Sequence, residues 1–182
     1  PDVPAPPPAL EWYPLGRVLA IAAAIAGTLA LITLLIIGQD LDKLRAGLRE
    51  LLEKVLINQL PGFKDRQLSE PEIATFVEIA LYTLPAASAL SWLGGLLLNL
   101  WLAARITLAS GRLLRPWPDV AATTLPRGFG FALAAALVVA STTSGWPALV
   151  AAGYAGAFFC AYFLVGLAIL HFLTRGSAAR PL

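Results

Sequence analysis

The sequence predicts an all-α polytopic membrane protein with about four transmembrane helices and one amphipathic interfacial helix. Three observations carry that prediction. Of 182 residues, 58% are hydrophobic and only 13% are charged, where a soluble domain carries about 25% charged residues. A water-facing surface cannot be covered with so few. The apolar residues are also gathered into long uncharged blocks, among them Val18 to Gly38 and Ile79 to Ala104. Finally, Gly128 to Thr174 contains no Asp, Glu, Lys or Arg. A crossing needs about 20 residues, so that run fits two crossings joined by a turn.

Residues 1–15 read as a Pro-rich tail that opens PDVPAPPPAL and has no apolar periodicity. Trp12 and Tyr13 precede Arg17, an aromatic and basic pair suited to anchoring a helix at the membrane interface. A transmembrane helix is expected over residues 16–38. Within it Ala22, Ala26 and Ala30 recur every four residues. That spacing lets a second helix approach closely. It is also what plain helix-forming alanine gives in an alanine-rich chain.

Residues 39–62 differ in kind. Leu41, Leu44, Leu48, Leu51, Leu52, Val55 and Leu56 form one helical stripe, and charged residues fill much of the rest. Arg49 with Glu53, and Glu50 with Lys54, stand four apart and can pair along the surface. The segment reads as an amphipathic helix lying on the membrane or against a partner. Its charges balance, which separates it from polybasic lipid-binding helices. Leu41, Leu44, Leu48 and Leu52 are the expected partner contacts. Pro61 and Gly62 end the segment.

Residues 70–110 are expected to form one long, kinked transmembrane helix. Ser69, Glu72 and Pro71 make a helix start. Pro85 removes one backbone bond and should kink the helix or split it. Residues 111–127, with Arg112, Arg115, Pro116, Trp117, Pro118 and Asp119, read as a basic cytoplasmic loop. Residues 128–174 read as a transmembrane hairpin whose turn is punctuated by Gly145 and Pro147. Residues 175–182 form a tail. With four crossings, Arg17, Arg105, Arg112, Arg115, Arg127, Arg175 and Arg180 share one side with Asp2, Glu11 and Asp119. The other side holds six basic and eight acidic residues, all between Asp40 and Glu78. Basic loops stay in the cytoplasm, so both chain ends are expected there.

Chemistry-bearing residues are sparse. Ser88, Ser91, Gly95 and Asn99 fall on one face of the long helix. An amide in apolar sequence is costly unless partnered, so Asn99 is expected to face other helices or a polar cavity. One reading is an interhelical hydrogen bond; the other makes Ser88, Ser91 and Asn99 a ligand-contacting stripe. His171 reads as an interfacial side chain and Cys160 as a packing residue. With one cysteine, one histidine and no acid expected inside the crossings, the sequence offers no metal site, no paired-carboxylate site and no cofactor motif. An enzyme is not expected. The chain contains no methionine and is expected to be part of a longer protein.

Four stretches carry a resemblance: Leu10-Glu-Trp-Tyr-Pro-Leu-Gly-Arg17, Leu98-Asn-Leu-Trp-Leu-Ala-Ala-Arg105, Ser110-Gly-Arg-Leu-Leu-Arg-Pro-Trp-Pro118 and Leu170-His-Phe-Leu-Thr-Arg-Gly176. The chain resembles the YybS-like predicted bacterial membrane proteins, an uncharacterised family, in its α-proteobacterial form. That family is distantly similar to the S components of energy-coupling-factor transporters. The resemblance implies a multi-pass protein of the bacterial inner membrane and carries over no catalytic residues. Two function classes are open. One is a non-catalytic accessory or scaffold subunit of a membrane complex. The other is a small-solute binding or transport component. The expected partners are the lipid bilayer and other membrane subunits, and not nucleic acid.

Overall fold

The structure is a computed structural model that describes residues 12–38, 40–57, 69–117 and 119–174. The Pro-rich segment before Trp12, the expected stop at Pro61 and Gly62, Pro118, and the tail bearing Arg175 and Arg180 lie outside the described residues. Five α-helices follow one another: α1 (Leu15–Ile37), α2 (Leu41–Leu52), α3 (Glu70–Ala109), α4 (Phe129–Thr142) and α5 (Trp146–Leu173). A π-helical turn, Glu53–Ile57, extends α2, and a 3-10 turn, Val120–Ala122, precedes α4. No strand occurs among the described residues. The protein is an all-α membrane protein, and α1, α3 and α5 are each long and apolar enough to cross a bilayer.

Between α3 and α5, which run the same way, the chain returns from the Phe129 end of the bundle to the Trp146 end, where the fourth crossing is expected. Helix α4 has 14 residues, about 21 Å at 1.5 Å per residue, short of the roughly 30 Å hydrocarbon core. The uncharged run is divided unevenly, because the turn at Thr143–Gly145 leaves 28 residues to α5. Gly145 has φ +69°, a left-handed conformation that glycine adopts without steric cost, and Pro147 lies in the first turn of α5.

The core is built on small residues. Ala22, Ala26, Ala30 and Leu34 of α1 are buried. So are Leu81, Pro85, Ala89 and Leu93 of α3, and Leu149, Gly153, Ala157 and Ala161 of α5. Each set is an i, i+4 ridge, the row that packs into the groove of a facing helix. A Cβ added at Gly153 would lie 3.6 Å from Pro85 Cβ and 3.8 Å from Ala30 Cβ, so all three helices meet at one level. A Cβ at Gly156 would lie 2.7 Å from Ala86 Cβ and 2.9 Å from Ala86 Cα. The alanine spacing in α1 is therefore packing, not composition alone. Pro85 sits in this contact, and α3 continues through it without a break to Ala109.

The helix ends sort into two sets. Leu34, Leu44, Leu81 and Leu149 cluster at one end, joined by Trp146 and Tyr82. Leu19, Leu93, Phe129 and Ala161 belong to the cluster toward the other. Helix α1 is thus antiparallel to α3 and α5, and α4 packs along α5. Glu72 accepts from the Ser69 N–H at 2.9 Å and from its hydroxyl at 2.8 Å, fixing the start of α3. At its far end the Gly111 N–H reaches Leu108 O and the Arg112 N–H reaches Thr107 O, both at 3.0 Å. Gly111 has φ +67°, and the pair of bonds is a Schellman stop.

Gly156→Ala should destabilise the bundle by about 1–3 kcal/mol, since the new methyl meets the α3 backbone. Gly94→Ala, with nothing within 4 Å, should be neutral or gain up to about 1 kcal/mol of helix propensity. Melting temperatures of the two variants in one mild detergent check this. Equal effects would show that α3 and α5 are not this close.

Candidate functional site

The expected polar stripe does not come together as a site. Ser88 is half-buried, whereas Ser91 and Asn99 are exposed. Ser91 Oγ donates to Ala87 O at 3.1 Å, and Asn99 Nδ2 donates to Gly95 O at 2.8 Å. Both bonds stay within α3. The expectation that Asn99 ties helices together inside this chain is therefore corrected. The reason is angular. At 3.6 residues per turn, Ser91 lies about 200° round the helix from Ala89, Gly95 about 200° from Leu93, and Asn99 about 240° from Leu93, and Ala89 and Leu93 face the core. What these residues form instead is an open ridge. Ala87, Ser91, Gly95, Asn99 and Ala103 stand four apart and are all exposed. A Cβ at Gly95 would meet nothing within 4 Å.

The interhelical polar bonds fall elsewhere. Trp92 Nε1 donates to Thr33 Oγ1 of α1 at 3.1 Å. Thr28 Oγ1 and Tyr154 Oη of α5 lie 2.8 Å apart. The Thr28 proton is directed to Ala24 O at 3.0 Å, so Tyr154 is the donor. Sequence reasoning passes over these threonines. The available signal is a hydroxyl in an uncharged run with an aromatic N–H or O–H on another crossing, since each needs a partner away from water.

Helix α2 is docked on its own chain, so that Leu41, Leu44 and Leu48, three of the four expected partner contacts, are covered from within. Leu44 is buried with Leu34, Leu81 and Leu149, and Leu41 and Leu48 pack against that cluster. Leu52 is half-buried, while Leu51 and Val55 are exposed. The leucine stripe closes the end of the bundle because Asp40 starts the helix directly beyond α1, accepting from the Asp42 N–H at 2.9 Å. Ion pairs reinforce the docking. Arg45 Nε bonds Glu78 Oε1, and Arg49 Nη2 bonds Glu70 Oε2, each at 2.6 Å. The expected Arg49–Glu53 and Glu50–Lys54 pairs also form, at 2.9 and 2.5 Å. The hydrogen bond to Glu78 raises the Arg45 pKa, and those to Glu53 and Glu70 raise that of Arg49. The Lys54 ammonium lowers the Glu50 carboxyl. A raised arginine pKa contributes fully below its ordinary value and is lost only in strong base. The lowered Glu50 contributes above the ordinary carboxylate range and is lost as pH falls through its folded value.

The opposite end is basic. Arg105 lies over Trp101 at 5.9 Å and over Trp117 at 5.8 Å, a two-sided cation–π contact. Thr124 and Leu125 strap the first turn of α1, where a Cβ at Gly16 would fall onto Thr124 O. Among the described residues no group of His, Cys, Asp or Glu could hold a metal ion.

Comparison with known proteins returns nothing. No family model, curated protein or solved structure matches this chain.

The docking of α2 yields a charge-exchange test. Arg45→Glu should expose the backbone near Lys54 to protease, and adding Glu78→Arg should restore protection. Protection that never changes, or a double variant no better than the single, would show that the pair does not hold α2 in place.

Proposed function

We propose that the chain is a non-catalytic accessory or scaffold subunit of a membrane complex, inserted by several crossings in the inner membrane of a bacterium with its arginine-rich end in the cytoplasm. The observation that carries this reading is the open ridge Ala87–Ser91–Gly95–Asn99–Ala103. Inside the molecule, ridges of the same spacing and residue size are filled by a neighbouring helix. On this face of α3 the same motif is left bare. Asn99 stands about 9 Å along the axis from Arg105, within apolar sequence, and only one of its amide N–H groups is committed within the described residues. A bare amide facing lipid is costly, and a transmembrane helix of another subunit relieves that cost.

The resemblance to the YybS-like proteins agrees with an inner-membrane setting. The arginine asymmetry supports the orientation. The transport alternative drew on a Ser88–Asn99 stripe lining a cavity, and the intrahelical bonds of Ser91 and Asn99 give it no support.

Gly95→Leu should abolish co-purification of the partner subunit from mild detergent. It should leave the melting temperature of the isolated chain unchanged, because nothing of this chain lies near Gly95. Undiminished retention of the same partner by Gly95→Leu and by Asn99→Leu would overturn the reading.

A further inference from the structure

The two ends of the bundle treat charge differently. At the α2 end, Arg45, Arg49 and Lys54 all hold carboxylates. At the other end, Arg17 and Arg127 hold none among the described residues. These two arginines line one cavity together with Pro14, Thr124, Leu125 and Pro126. Arg17 and Pro126 also line a second, neighbouring groove, whose other walls are Tyr13, Ala20, Ile21, Ala24, Phe129 and Phe158. A basic pocket therefore borders a shallow apolar groove, and Arg17 and Pro126 belong to both.

The geometry of that groove is set by the helices. Arg17, Ala20, Ile21 and Ala24 share one face of α1, and that face runs about 10 Å along the axis. The small Ala20 and Ala24 leave the space. Phe129 and Phe158, with ring centroids 4.8 Å apart, form the opposite wall. Arg17 stands one residue before the uncharged run of α1, where a side chain is at headgroup depth and Ala24 is within the hydrocarbon. Arginine suits a phosphate because its planar guanidinium donates two parallel hydrogen bonds. A carboxylate partner could neutralise the arginines and would leave the groove unfilled.

We propose that Arg17 and Arg127 bind the phosphate of an anionic phospholipid, and that one acyl chain of the same lipid lies in the Ala20–Ala24–Phe158 groove. Basic pockets between transmembrane helices bind anionic headgroups in this way. Arg105 takes no part, being held between Trp101 and Trp117. This surface is separate from the α3 ridge, so the proposal stands or falls independently of the accessory-subunit reading.

The test uses the full chain in mild detergent, with native mass spectrometry and melting curves read together. Phosphatidylglycerol should remain bound to the wild type and raise its melting temperature more than phosphatidylcholine does. Inorganic phosphate, having no chain, should not reproduce the shift. Arg17→Gln with Arg127→Gln should remove the preference for phosphatidylglycerol. Ala24→Phe, which leaves both arginines, should remove bound lipid by filling the groove. Arg112→Gln with Arg115→Gln, outside the pocket, should retain the preference. The proposal is overturned if the wild type shows no such preference. It is equally overturned if phosphate alone gives the full shift, or if the Arg112 and Arg115 variant loses as much as the Arg17 and Arg127 variant. Lysine at positions 17 and 127 should retain partial preference, which separates loss of charge from loss of fold.

Discussion

Everything else in the molecule depends on how closely three helices approach at Gly153. At that level a methyl on Gly153 would stand in van der Waals contact with both Ala30 and Pro85, and one turn on, at Gly156, α3 leaves no room for one. Lipid tails are as apolar as leucine, so helices in a bilayer gain little from hydrophobic association and rely on close packing. Small side chains supply it: they recur every four residues on α1 and α5, facing the Leu81, Pro85, Ala89 and Leu93 ridge of α3. The bonds from Trp92 to Thr33 and from Tyr154 to Thr28 become possible because the backbones are already near.

Once these ridges fix the helices, the ends are determined. Helix α2 finds Leu34, Leu81 and Leu149 grouped at one end and closes over them. Its arginines then meet Glu70 and Glu78 on the first turns of α3. At the far end, α4 and the Thr124–Leu125 strap pack against the start of α1 and leave Arg17 and Arg127 around a shared pocket. At one end the arginines are paired within the chain, and at the other Arg17 and Arg127 hold no carboxylate among the described residues. The same packing determines what is left bare. An exposed face of α3 carries Gly95, beside which nothing of this chain lies within 4 Å, and Asn99, whose amide bonds only back to Gly95 O among the described residues.

Much of the fold is legible in the sequence. Uncharged length marks α1, α3 and α5, and heptad-like leucines with balanced charge mark α2. The helix start at Ser69 and the turn at Gly145 are each visible from residue type. The partner of α2 is hidden. A leucine stripe declares that it needs cover, and only tertiary structure shows that the cover is Leu34, Leu81 and Leu149. The direction of Asn99 is hidden for a similar reason. Its neighbours in sequence say that it sits in apolar surroundings, and only the packing of α3 against α1 and α5 leaves it exposed. The arginine pocket joins residues 110 apart in sequence, Arg17 and Arg127, and no local motif announces it.

The central claim, that α1, α3 and α5 converge at Gly153, is tested most directly by a disulfide. The Cβ positions of residues 30 and 153 lie 3.8 Å apart, within the roughly 3.5–4.5 Å that a disulfide spans. In a Cys160→Ala background, Ala30→Cys with Gly153→Cys should cross-link in native membranes under mild oxidation. Fragments cut between the two positions should then stay joined until reductant is added. Fragments that separate without reductant, from membranes in which both cysteines are present and unmodified, would contradict the account.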